Sequence, residues 1–163
     1  MEQHPFWNTI VEEWAGFSTE RYFTIPHFTP NEIEVFLGSE FDEEGEEIED
    51  FPSLEALDRY QATFTAFLGD IDVVVTDIKE KAFERYQRLY AHYYETESKS
   101  GQPPLGIDTP EKHFNAIRDL NYIRILDANS LMLEINYTLD NEHGLEIKIT
   151  DNKVVALGGI GEL

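Results

Sequence analysis

The sequence predicts an α+β fold, an antiparallel sheet with a helical hairpin and a short helix packed on one face. Three observations carry this reading. Period-two alternation of apolar and polar residues occurs near both ends of the chain, as in Leu145, Ile147 and Ile149 against Glu146, Lys148 and Thr150. Helical spacing of apolar residues fills the middle. Strands, then helices, then strands in hairpin order segregate helices to one face of a sheet.

Two breaks divide the chain into three parts. The first, Glu40–Asp50, holds eight acids and no base, so it reads as a solvated loop. The second, Ser98–Gly106, is a Gly/Pro loop. Before the first break, at about residues 20–38, Phe23 and Ile25 alternate with Tyr22 and Thr24, and Ile33, Val35 and Leu37 alternate with Glu34 and Phe36. These read as half-buried strands, with Pro26 and Pro30 bracketing their connection. The stretch Phe6–Trp14 fits strand or helix equally.

Between the breaks, at about residues 53–96, two helices are expected. Ser53 is an N-cap after Pro52, and Leu54, Leu57, Phe64 and Leu68 recur on one face up to Gly69. Asp70 can cap the second helix, whose apolar face runs from Ile71 through Val74, Val75, Ile78 and Ala82 to Tyr86 and Tyr90. So short a joint predicts an antiparallel hairpin. After the second break, Thr109 as cap and Pro110 at the first helical position start a short helix over about 109–118, with Phe114 and Ile117 inward. Strands follow at Tyr122–Leu126, Ser130–Leu139, Leu145–Thr150 and Lys153–Leu157. The last two are joined by an Asp151-Asn152 turn, since both residue types tolerate the left-handed region.

Length and composition bound the function. A chain of 163 residues is one ordinary domain and buries roughly two-thirds of its unfolded surface, enough for a core without staples. It has no cysteine, which excludes disulfides, thiolate metal sites and a Cys nucleophile. The start lacks a basic segment followed by an apolar one, and the longest aliphatic run, Val73–Val75, falls far short of the ~20 residues a spanning helix needs. A cytoplasmic protein is expected. With 33 acidic and 12 basic side chains the net charge is −21, a field that repels nucleic acid and anionic membrane and attracts basic surfaces.

Candidate chemistry is sparse. Asp140, Glu142 and His143 fall within Leu139-Asp-Asn-Glu-His-Gly-Leu145, which reads as an acid–base or metal cluster or, more simply, as turn chemistry in which Gly144 supplies a positive φ. A metal site needs three or four converging ligands, and this segment offers at most two. The acidic loop lacks calcium-loop spacing. No G-x-S-x-G elbow or H-E-x-x-H pair occurs, and Gly158-Gly159-Ile160-Gly161 reads as a flexible tail. Tyr86, Tyr90, Tyr93 and Tyr94 fit the core better than an interaction stripe. Tyr94 departs furthest from the apolar face and is the exposed candidate.

The run from Asn136 to Leu145, with the hairpin closing on Val154-Val155-Ala156-Leu157-Gly158, resembles a bacterial family of unknown function. Members carry a Trp-Asp-x-Glu-His-Gly turn and a short hairpin ending in Val-Gly. A helical pair closing on Tyr-Tyr, here Tyr93-Tyr94, after an acidic loop also fits. The chain departs at Leu139, where the family often has Trp. Proteins of this kind resemble immunity proteins, the partners of polymorphic toxins. The resemblance therefore implies a non-enzymatic inhibitor that binds a basic toxin, needs no cofactor, and uses Glu43, Glu44, Glu46 and Glu47 with Tyr94, Asp140, Glu142 and His143. The alternatives are a nucleic-acid mimic blocking a DNA-binding protein, and a metal-assisted hydrolase built on the Asp140–His143 turn.

Overall fold

The computed structural model describes residues 2–163. Eight strands form one sheet whose spatial order is the chain order: β1 (Glu2–His4), β2 (Asn8–Glu13), β3 (Gly16–Thr19), β4 (Glu34–Leu37), β5 (Leu120–Ile125), β6 (Ser130–Ile135), β7 (Leu145–Thr150) and β8 (Lys153–Gly158). Six neighbouring pairs are antiparallel, as expected. The central pair departs from the expectation: β4 and β5 are parallel, with Glu34 opposite Tyr122 and Leu37 opposite Ile125. A parallel pair requires a crossover. That crossover carries every helix: α1 (Leu54–Gly69), α2 (Ile71–Leu89), α3 (Ala91–Tyr94), α4 (Glu97–Ser100) and α5 (Pro110–Phe114).

Helix starts follow their caps. The Ser53 hydroxyl accepts the Ala56 amide at 3.1 Å, and Thr109 accepts the Lys112 amide at 3.2 Å with Pro110 following. Asp70 sits at the head of α2 but makes no side-chain cap. Its carboxylate instead accepts the Asn152 amide at 3.1 Å, tying the one-residue joint between α1 and α2 to the β7–β8 turn. That turn has Asp151 and Asn152 both at positive φ, as expected. The two helices approach one another only around their joint. Beyond it α1 lies over β5 and β6, while α2 lies against β8 and α5. Asp77 on α2 accepts the Val154 amide at 2.8 Å, and Lys81 bonds both Asp77 and the Val154 carbonyl, which fastens α2 to edge strand β8.

The core lies between these helices and one face of the sheet. Val35, Leu37, Ile123, Ile125, Leu131, Leu133, Ile147 and Ile149 point into it from the strands, and Leu57, Phe64, Phe67, Val74 and Ile78 meet them from the helices. The first expected strand differs. Residues 20–33 form no regular strand, and Phe23 keeps only an isolated bridge to Ile33. Pro26 lacks an amide for a ladder and His27 adopts φ 75°, so the chain turns away there. The ambiguous stretch resolves into a turn followed by β2. His4 Nδ1 accepts the Phe6 and Trp7 amides at 3.1 and 3.3 Å, and buried Trp7 donates its indole N–H to the Leu57 carbonyl at 3.0 Å. Phe6, Trp7, Phe23 and Phe64 pack there as one aromatic cluster.

Phe64 is fully buried where α1 meets this cluster. Truncating it leaves a cavity that neighbouring rings cannot close. Phe64→Ala is expected to lower the unfolding free energy by roughly 3–5 kcal/mol in urea titrations.

Candidate functional site

Alternation puts the other half of each strand on the face away from the helices. Ser18, Glu34, Phe36, Tyr122, Arg124, Met132, Glu134, Glu146 and Lys148 belong to that outer face. The sequence-predicted site residues border it on two sides.

The acidic loop forms one border. Residues 41–50 are all exposed, as their charge requires. The loop is nevertheless shaped. Asp42 accepts the Glu44 and Glu46 amides, each at 2.9 Å, its own amide bonds the Glu46 carbonyl, and Phe41 bridges to Glu47. Gly45 takes φ 82° at the tip. Glu43, Glu44, Glu46 and Glu47 therefore project from an ordered turn. Carboxylate oxygens of Asp42, Glu44 and Glu46 lie within 4.8 Å of one another, a concentration of negative potential that favours any cation, a basic side chain included.

The Asp140–Gly144 turn supports the opposite border. Asp140 is turned inward. Its carboxylate accepts the Tyr90 hydroxyl at 2.7 Å and His143 Nδ1 at 2.9 Å. Burial works to raise the Asp140 pKa, but these hydrogen bonds outweigh it and hold the carboxyl below its usual value. The same bond and charge raise His143 above the ordinary imidazole value. The Tyr94 hydroxyl donates to the Leu139 carbonyl, so Tyr94 is a packing residue and Tyr93, 50% exposed, is the outward ring instead. Helix α3 is a separate short helix, which rotates this tyrosine pair away from the register of α2. Glu142 and His143 stay exposed. Asp140 is thus a partner of the tyrosines, and of the three residues only Glu142 and His143 offer themselves to an external group.

The expected flexible tail is docked. Gly158 and Gly159 are buried, and the Ile160 amide bonds the His143 carbonyl at 2.8 Å. Gly144 has φ 66°, and a β-carbon there would come 2.6 Å from Ile160 Cδ1 and 3.2 Å from the Ile135 carbonyl. The glycine of the His-Gly pair thereby admits the tail.

Between the borders lies a feature that the sequence reading missed, a concavity of about 560 Å³ on the outer face. The loop contributes Glu40 and Phe41, the tail contributes Ile160 and Leu163, and the strands supply the floor. Glu134 and Glu146 face each other across the β6–β7 ladder there, 4% and 7% exposed. Burial, and then a hydrogen bond to Glu146 together with its charge, push the Glu134 carboxyl up to about 8. Arg124 lies over the Phe36 and Tyr122 rings but spends its guanidinium on the carbonyls of Gly38 and Ala15, at 2.9 and 2.6 Å. Trp14 packs edge-on against the same two rings and stays largely exposed. A signal for it lies in the sequence: Glu146 and Lys148 form the polar side of an alternating strand, and Glu134 interrupts an otherwise apolar run.

A sheet covered by helices on one side, with an acid-bordered concavity on the other, defines an acidic α+β domain with one open face. The chain belongs to the family described as a domain of unknown function, DUF6985, which matches residues 5–162. No curated protein and no solved structure matches it. No helix among the described residues is long and apolar enough to cross a membrane.

Two outcomes follow from this geometry. Between its ordinary value and about 8, folded Glu134 keeps a proton that the unfolded chain has lost. Stability therefore falls with rising pH across that window, and the loss ends above it. Urea titrations from pH 5 to pH 9 should show Glu134→Gln lacking this part of the slope. Gly144→Ala meets both a wrong φ and the Ile160 contact, and should cost roughly 1–3 kcal/mol by the same measurement.

Proposed function

We propose that this protein is an acidic binding protein that neutralises a basic partner protein by direct contact, as an immunity protein does a toxin. The observation that carries the reading is the shaped loop of residues 40–50, whose eight carboxylates stand on an ordered turn beside an open sheet face. A net charge of −21 costs self-repulsion, and concentrating part of it on one projecting turn gives a field that steers a cation-rich surface.

The loop and the open face together have the anatomy of an interface. Trp14, Phe41, Ile160 and Leu163 are exposed apolar groups around the concavity, and charged residues surround them. Exposed aromatics inside a charged border supply binding energy, while the border supplies speed and choice of partner. Glu142 and His143 lie next to the tail and extend the same face.

The test is binding to a basic protein encoded beside this one. Reversing charge at Glu43, Glu44, Glu46 and Glu47 to lysine should slow association by about tenfold or more and flatten its dependence on salt. Stopped-flow measurements at several ionic strengths read both effects. Unchanged rates in the reversed variant would remove the loop from the interface.

A further inference from the structure

The pair of glutamates at the bottom of the concavity is unusual on physical grounds. Directly opposed like charges on neighbouring strands destabilise a sheet. Burial makes this worse unless each charge finds a partner. A hydrogen bond between the two carboxyls holds one proton in common, which relieves part of the repulsion; Glu146 Oε2 also accepts the Leu163 amide at 3.2 Å, but Glu134 Oε2 is buried with no hydrogen-bond partner. The ion pairs among the described residues involve neither carboxylate.

Charged and titratable groups face the pair from β5 (Tyr122 and Arg124), from β7 (Lys148), from the loop (Glu40) and from the tail, where the Glu162 carboxylate lies beside Gly158, the ladder partner of Glu146. Arg124 is held by two backbone carbonyls, and Lys148 joins none of the ion pairs among the described residues. These two cations offset the charge of the pair without satisfying its oxygens. Metal is a poor fit, because a hard divalent ion takes six or more oxygen ligands, and here two carboxylates stand beside two cations.

We propose that this concavity seats one basic side chain of the partner protein, an arginine or a lysine, whose cationic head bonds Glu134 and Glu146. Its aliphatic stem would run along Met132, Ile160 and Leu163, which line the same space. The occupant follows from the complementary charge of the acidic border and from the unpartnered oxygen waiting beneath it. This inference rests on the reading of the protein as a binder of a basic partner. Seating the cation also expels the proton that the empty pair holds, so binding releases one proton and tightens as pH rises towards 8.

The probe is N-acetylarginine methylamide, titrated into the full chain and followed by backbone amide shifts. At pH 8.5 the shifts should concentrate on β6 and β7 and saturate with a dissociation constant in the millimolar range or tighter. Below about 8, affinity should drop by about tenfold per pH unit. Glu134→Gln mimics the shape of the protonated side chain and should abolish saturation, with Glu146→Gln as a second variant. Amide dispersion in each verifies the fold. Glu111→Gln, on α5, should bind as the parent does. The proposal is overturned if no saturable shift appears at β6 and β7, if Glu134→Gln and Glu146→Gln both bind undiminished, or if magnesium chloride gives the same shifts at lower concentration. Binding of the partner separates this idea from the broader one. A partner lost by the charge-reversed loop but kept by Glu134→Gln sinks the cavity and leaves the binder. An arginine probe that binds where no basic protein does sinks the binder alone.

Discussion

Helices cover one side of this sheet and nothing of comparable size covers the other. That asymmetry governs the rest of the structure. Leu131, Leu133 and Ile135 of β6 go under the helix layer, while Ser130, Met132 and Glu134 of the same strand are buried by smaller devices. An aromatic ring from the β2–β3 turn, the root of the acidic loop and the last four residues each cover part of the outer face. Such piecemeal cover leaves a hollow. The hollow mixes apolar and charged side chains, with Met132, Ile160 and Leu163 beside Arg124, Glu134, Glu146 and Lys148, because no single apolar layer covers it.

The helix layer itself is held by polar fasteners at its ends. The joint between α1 and α2 is pinned to the β7–β8 turn through Asn152, and α2 is pinned to β8 through Asp77 and Lys81. His4 and Trp7 do the same for α1 at the other edge of the sheet, the first through Asp58 at 2.8 Å and the second through the Leu57 carbonyl. The helices are thereby fixed to opposite edges and diverge from their joint. A closely paired hairpin would have left one half of the sheet bare.

Local signals read well from the sequence because local chemistry decides them. The caps at Ser53 and Thr109, the Asp151-Asn152 turn and the alternating strands β5 to β8 all rest on contacts within a few residues. What was illegible depends on distant partners. Nothing near Leu37 announces that it pairs with Ile125, and a parallel pair has no turn of its own to betray it. Asp140 looks available until Tyr90 is folded over it, and the glycine-rich tail looks loose until Ile160 is seated over Gly144. Glu134 and Glu146 sit apart in the chain and become a pair only through the register of β6 and β7. The loop was visible because charge density is a property of composition alone.

Strand order that follows chain order bears on how the molecule reaches its native state. Strands β5 to β8 form a meander from residues 120–158, where each closure spans only a short loop. Joining β4 to β5 instead closes a loop of residues 38–119, and that entropy must be spent before the contact rewards it. The meander can zip up early as a template, on which the helices condense and the amino-terminal strands are received last. Changes that weaken β5–β8 should therefore slow folding, whereas changes confined to β1–β3 should chiefly hasten unfolding.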